Sequence, residues 1–84
     1  MHTSWIMALV GAVEHGSVEA AARAHNISRQ GLRKRISNLE AAIGVKLLAS
    51  SARGTLTKAG NERIHMLQQI LHASNQVLKP EQAA

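Results

Sequence analysis

"SVEAAARAHNISRQGLRKRISNLE", residues 17–40, holds two short helices and the turn between them. Ser17 has a hydroxyl that can accept from the free amides of a new helix, and Glu19 follows in the first turn, on the favourable side of the helix dipole. A helix is predicted over Val18–His25, rich in alanine, which favours helix and lets a neighbouring backbone approach closely. His25 and Asn26 end it, and "HNIS" has room only for a turn. Ser28 then caps a second helix, predicted from Arg29 to about Ala42.

In that second helix Leu32, Ile36, Leu39 and Ile43 recur at steps of four, three and four, which makes one apolar stripe for a core. The opposite side is cationic. Arg29 and Arg33 are four apart, as are Gln30 and Lys34, so the N-terminal half presents a ridge of long hydrogen-bond donors that Ser37 extends. Two helices joined by a tight turn, with such a ridge on the second, form a helix-turn-helix. Arg can pair bidentately with guanine and Gln with adenine in a major groove, each good pair discriminating by about 1–3 kcal/mol. The pattern therefore points to DNA.

On the N-terminal side, Trp5, Ile6, Leu9, Val10 and Val13 recur at helical spacing and predict an amphipathic helix over Ser4–Glu14, stopped at Gly16. On the C-terminal side, β-favouring Val45, Leu47, Leu48 and Thr55–Thr57 flank "ASSARG" and predict a two-stranded hairpin with Arg53 and Gly54 near its tip. Thr57 caps a last helix over Lys58–Leu78, long enough to span roughly 30 Å. In it Ile64, Leu67, Leu71, Ser74 and Leu78 follow a three-four heptad spacing, with Ile70 and Val77 on a flanking track, a stripe suited either to a partner or to the chain's own first helix.

Composition bounds the same reading. At 84 residues, without cysteine, the chain makes one small domain near the lower size limit of a self-sufficient core, so help from a second subunit is expected. Its net charge of +5 is uneven: Arg29, Arg33, Lys34, Arg35, Lys46, Arg53 and Lys58 stand against Glu40 alone between residues 29 and 58, an electrostatic footprint for a polyanion. No apolar run approaches the roughly 20 residues that cross a bilayer, and a cytoplasmic location is expected.

"ALVGAVEHGSVEAAARAHNISRQGLRKRISNLEAAIGVKLL" followed by "SSARGTLTKAG" resembles the winged helix-turn-helix domain of LysR-type transcriptional regulators. The landmarks are Glu14, Gly16 and Ser17, the alanine pair Ala21 and Ala22, Ser28, the Leu39-Glu40 pair, Gly44 with Leu47, and Leu56, Thr57, Ala59 and Gly60, over about residues 5–78. The resemblance implies a mainly α fold: a three-helix core with a short two-stranded wing in residues 1–57, a linker helix for dimerisation in 58–79, and a frayed tail in 80–84. It also implies a homodimer held by the C-terminal helix, through Ile64, Leu67, Ile70, Leu71 and Leu78, whose two recognition helices enter successive major grooves of an inverted repeat.

The chain departs from that family where phenylalanines are usual at Leu9, Val18 and Leu48, since it has no Phe or Tyr, which implies an aliphatic core around one Trp. His25 stands where Leu is common, Ser50 where a basic residue is, Gln30 and Gly31 replace other residues early in the recognition helix, and the wing is one residue short before Leu56. Family members continue into an effector domain that binds a small molecule; a natural stand-alone module and an excised domain are both compatible with this sequence.

Arg29, Gln30, Arg33 and Lys34 are the expected base or phosphate readers, and Ser37 extends their ridge. Ser17 and Ser28 are expected as caps whose helix N-termini also suit phosphate. Arg53 is either a plain turn residue or a minor-groove or phosphate contact from the wing. His65 and His72 are seven apart, but no two of the five histidines have the spacing that closes one helical face around zinc, so no metal or other cofactor is expected. No nucleophile triad, carboxylate pair or phosphate loop suggests an enzyme. The rival reading is a protein-interaction module that modulates another regulator through its last helix.

Overall fold

The computed structural model describes residues 2–77, with side chains described from His2 to Ala73. Its elements are α1 (Thr3–His15), α2 (Val18–His25), α3 (Arg29–Ile43), β1 (Leu48–Ser50), β2 (Thr55–Leu56) and α4 (Lys58–Val77). Helix α1 packs against α2, α3 and α4 and so forms the centre of the domain. The expected helices are present, with α1 and α3 each slightly longer than the sequence pattern suggested. The strands are shorter and shifted: Ala49 and Ser50, expected in the polar centre of the hairpin, belong to β1, while Val45 and Leu47 precede it.

The core is aliphatic. Leu9, Ala12, Ala21, Leu39 and Leu47 are fully inaccessible, and Ile6, Val18, Leu32, Ile36 and Leu67 are nearly so. Each such Leu or Ile contributes about 1.5–3 kcal/mol of transfer free energy. Trp5 corrects an expectation: it lies half-buried against this core rather than at its middle, and its ring meets that of His2 edge to face at 4.9 Å. The alanines of α2 act as the sequence suggested, with Ala21 and Ala22 buried where a larger side chain would hold the helices apart. His25 packs its ring over Gly11 of α1, its Nε2 buried and without a hydrogen-bond partner.

Local hydrogen bonds set the helix ends. Asn26 takes the left-handed conformation (φ 58°), its N–H donating to Arg23 O while Ile27 N–H reaches back to Ala22 O at 3.0 Å. This paired arrangement satisfies the last carbonyls of α2 and turns the chain towards α3 within "HNIS". Thr57 caps α4 by accepting from Gly60 N–H at 3.0 Å, and its own hydroxyl donates to Lys46 O at 2.6 Å. A side chain at Gly60 would collide with Leu47 O, which explains why a glycine opens this helix beside the wing.

Strands β1 and β2 pair antiparallel through Leu48 with Leu56 and Ser50 with Thr55, with an irregularity between the two pairs. The loop joining them folds back on the body of the domain. Val18 N–H donates to Ser51 O at 2.8 Å, and Gly54 (φ +62°) is buried so close to Ala12 O that a Cβ could not fit. The wing is thus seated on the α1–α2 corner, with Arg53 exposed beside the buried glycine.

Helix α4 splits the expected heptad stripe. Leu67 is 1% exposed and belongs to the domain core, which removes it from the residues available to a partner. Ile64 and Leu71 are half-buried against the same core. The cause is α1, which lies against α4 and covers that side of the stripe. Ile70 (41%) and Met66 (51%) are the large apolar side chains that α4 exposes among the described residues. Leu78 and the expected tail lie outside the described residues.

Candidate nucleic-acid interface

The two serines and the α3 ridge converge on one surface. Ser17 accepts from Ala20 N–H at 3.0 Å and Ser28 from Gly31 N–H at 2.9 Å, so both hydroxyls cap their helices. The buried stripe of Leu32, Ile36 and Leu39 turns the other side of α3 outward, leaving Arg29, Gln30, Arg33, Lys34 and Ser37 exposed. Arg35, one step round the helix, is half-buried.

Two clefts flank this ridge. One of about 260 Å³ lies between the N-termini of α2 and α3 and the wing, lined by Ser17, Val18, Glu19, Arg29, Arg33, Ser51 and Ala52. The other, about 170 Å³, lies between α3 and β1, lined by Arg33, Ile36, Ser37, Glu40, Lys46, Leu48, Ala49 and Ser51. Arg33 and Ser51 border both clefts. Arg33 therefore stands where α3, the N-terminus of α2 and the wing meet.

Arg53 lies apart from this meeting point on the exposed turn of the wing, its N–H donating to Ser50 Oγ at 3.3 Å. Two residues of the surface were not anticipated. Lys46 joins Arg33 and Ser37 around the second cleft; the cationic bias included it, but only the fold brings it beside α3. Glu19 lies in the first cleft, where Oε1 pairs with Arg29 Nη1 at 3.3 Å and Oε2 with Arg23 Nη2 at 3.1 Å. The Arg23 pair was legible as an i,i+4 spacing, whereas the Arg29 pair spans the turn and has no sequence signature.

The surface offers exposed donors, two capped helix N-termini and cations, a set that suits phosphates and base edges. Among the described residues no three His, Cys, Asp or Glu side chains gather as metal ligands would, and no helix is long and apolar enough to cross a membrane.

A three-helix core with a two-stranded wing and an outward cationic third helix defines a winged helix-turn-helix DNA-binding domain. Residues 3–61 match the family model of bacterial regulatory helix-turn-helix proteins of the lysR family, and the chain belongs to that family. Its function is sequence-specific DNA binding in transcription regulation, and the family and fold are those of regulators, not enzymes. No curated protein sequence matches the chain.

Among solved structures, the chain is similar to the BenM DNA-binding domain in complex with benA site 1 DNA, at 25% identity and a TM-score of 0.83, covering 99% of this chain and 98% of that one. The CbnR DNA-binding domain in complex with DNA is 28% identical, with a TM-score of 0.83 and coverage of 99% and 97%. Full-length CbnR, a LysR family transcriptional regulator, is 29% identical with a TM-score of 0.84; the match covers 100% of this chain and 29% of that one.

Proposed function

We propose that the domain acts as a two-fold symmetric homodimer on an inverted-repeat duplex, with one α3 in the major groove of each half-site. Arg29, Gln30, Arg33 and Lys34 read base edges. The N-termini capped by Ser17 and Ser28, together with Ser37 and Arg53, hold backbone phosphates and set the register. The observation that carries this reading is the outward ridge of α3, fixed by the burial of Leu32, Ile36 and Leu39 on its other side. The BenM and CbnR domains, both described as DNA complexes, support the duplex as ligand.

Dimerisation is assigned to α4, with Ile70 and Met66 at the centre of the contact and Ile64 and Leu71 at its edge. Leu78 remains part of this expectation by its place in the heptad pattern. The protein works in the cytoplasm, where the DNA of a bacterium lies, and needs no cofactor to bind it. A small-molecule effector enters only through a further domain like that of the full-length regulators.

Fluorescence anisotropy with a random duplex and with a duplex selected from a random pool, each at two salt concentrations, tests this reading. Expected are tighter binding of the selected duplex and a steep salt dependence on both. Equal affinity for the two duplexes, or a flat salt response, would refute it.

A further inference from the structure

Glu19 is a carboxylate on a surface otherwise suited to a polyanion. Of the other acids in the described residues, Glu40 lines the second cleft but already accepts two wing amides, while Glu14 and Glu62 lie on α1 and α4. Glu19 instead borders the first cleft together with Ser17, Arg29 and Arg33, its side chain 58% exposed.

Arg29 is the first residue of α3, at the positive end of the helix dipole, and no acid lies in the first turn of that helix. Glu19, reaching from the first turn of α2, supplies the missing negative charge by pairing with Arg29 Nη1. A guanidinium has five N–H donors, so this contact leaves enough of the fork for a bidentate pair with a base.

The carboxylate distinguishes between the two kinds of target that Arg29 can meet. A phosphate brings a negative charge towards Glu19 and must compete with it for the guanidinium, whereas the guanine edge presents neutral acceptors. Solvent screens the exposed pair in the free protein, but a docked duplex displaces that water and lowers the local dielectric. The penalty thus grows on docking and falls on phosphate contacts made by Arg29.

We propose that Glu19 is a positioning residue that determines specificity: it holds Arg29 for a base edge and keeps it from backbone phosphate, suppressing non-specific binding. The proposal rests on the DNA-reading role assigned to α3.

Its test is a double-mutant cycle of Glu19→Gln and Arg29→Gln in the full chain, measured by anisotropy on the random and the selected duplex over a salt series. Melting curves confirm that each variant is folded at the assay temperature. Glu19→Gln is expected to tighten random-duplex binding by about two- to fivefold, the equilibrium effect of releasing Arg29 from one exposed ion pair; the substitution also breaks the pair with Arg23, and the Arg29→Gln background separates the two. The salt slope on that duplex should steepen by about 0.9, as one more cation reaches a phosphate. Binding to the selected duplex should tighten less, so the ratio of the two affinities falls. In the Arg29→Gln background the gain on random duplex should shrink to less than half.

An equal gain on both duplexes, or a gain undiminished without Arg29, would overturn the proposal and mark Glu19 as a general negative charge. Absence of any preference for the selected duplex by the unsubstituted chain would instead overturn the DNA-reading role itself.

Discussion

Glu40, near the end of the recognition helix, is bonded directly to the start of the wing: its Oε2 accepts from Leu47 N–H at 2.7 Å and from Leu48 N–H at 3.0 Å. One carboxylate thereby satisfies two backbone donors that precede and begin β1. It also fixes the distance between α3 and β1, the walls of the cleft that Arg33 and Lys46 border.

Glu40→Gln keeps an acceptor oxygen at this junction but removes the charge that strengthens both bonds. A loss of about 1–2 kcal/mol is expected, since hydrogen bonds to charged groups contribute more than neutral ones. In a domain of this size that is a fall in Tm of roughly 5–15 °C, measured by circular dichroism. An unchanged Tm would show that the junction holds without the carboxylate.

Arg33, bordering both clefts, is the strongest candidate for direct base reading. Arg33→Ala should remove preference at one base step, at about 1–3 kcal/mol, and lower affinity for the selected duplex more than for random DNA. Binding to a panel of single-position operator variants measures this. A uniform loss across the panel would assign Arg33 to phosphate.

Leu67 and Ile70 occupy the same helix but opposite environments, one in the core and one exposed. Leu67→Ala should cost about 2–5 kcal/mol in a denaturant titration, the usual result of cutting a buried leucine to a methyl group. Ile70→Lys should leave the helix content unchanged and weaken self-association by about tenfold or more in sedimentation equilibrium, as expected for the centre of an interface. A dimer indifferent to Ile70→Lys would move the interface elsewhere.

The helices and their caps were legible because their signals are local. Ser17, Ser28 and Thr57 each bond an amide three residues on, and the stripe of Leu32, Ile36 and Leu39 follows directly from helical periodicity. What remained hidden depends on which elements meet. The heptad spacing of α4 is equally compatible with a partner helix and with α1, and only tertiary packing sends Leu67 inward. Trp5 lies at the rim because aliphatic side chains fill the centre. The pairing of Glu19 with Arg29 and the placement of Lys46 beside α3 both join residues of different elements, and spacing carries no trace of either. The exposed positions of the α3 ridge agree with the pattern.

Methylation interference on a selected duplex tests most directly whether α3 reads the major groove. Methyl groups at guanine N7 block major-groove contacts, and methyl groups at adenine N3 block those in the minor groove. The expected result is loss of binding when guanine N7 is methylated, in two symmetric clusters about one helical turn or a multiple of it apart. Undiminished binding to duplexes methylated at every guanine N7 would contradict it.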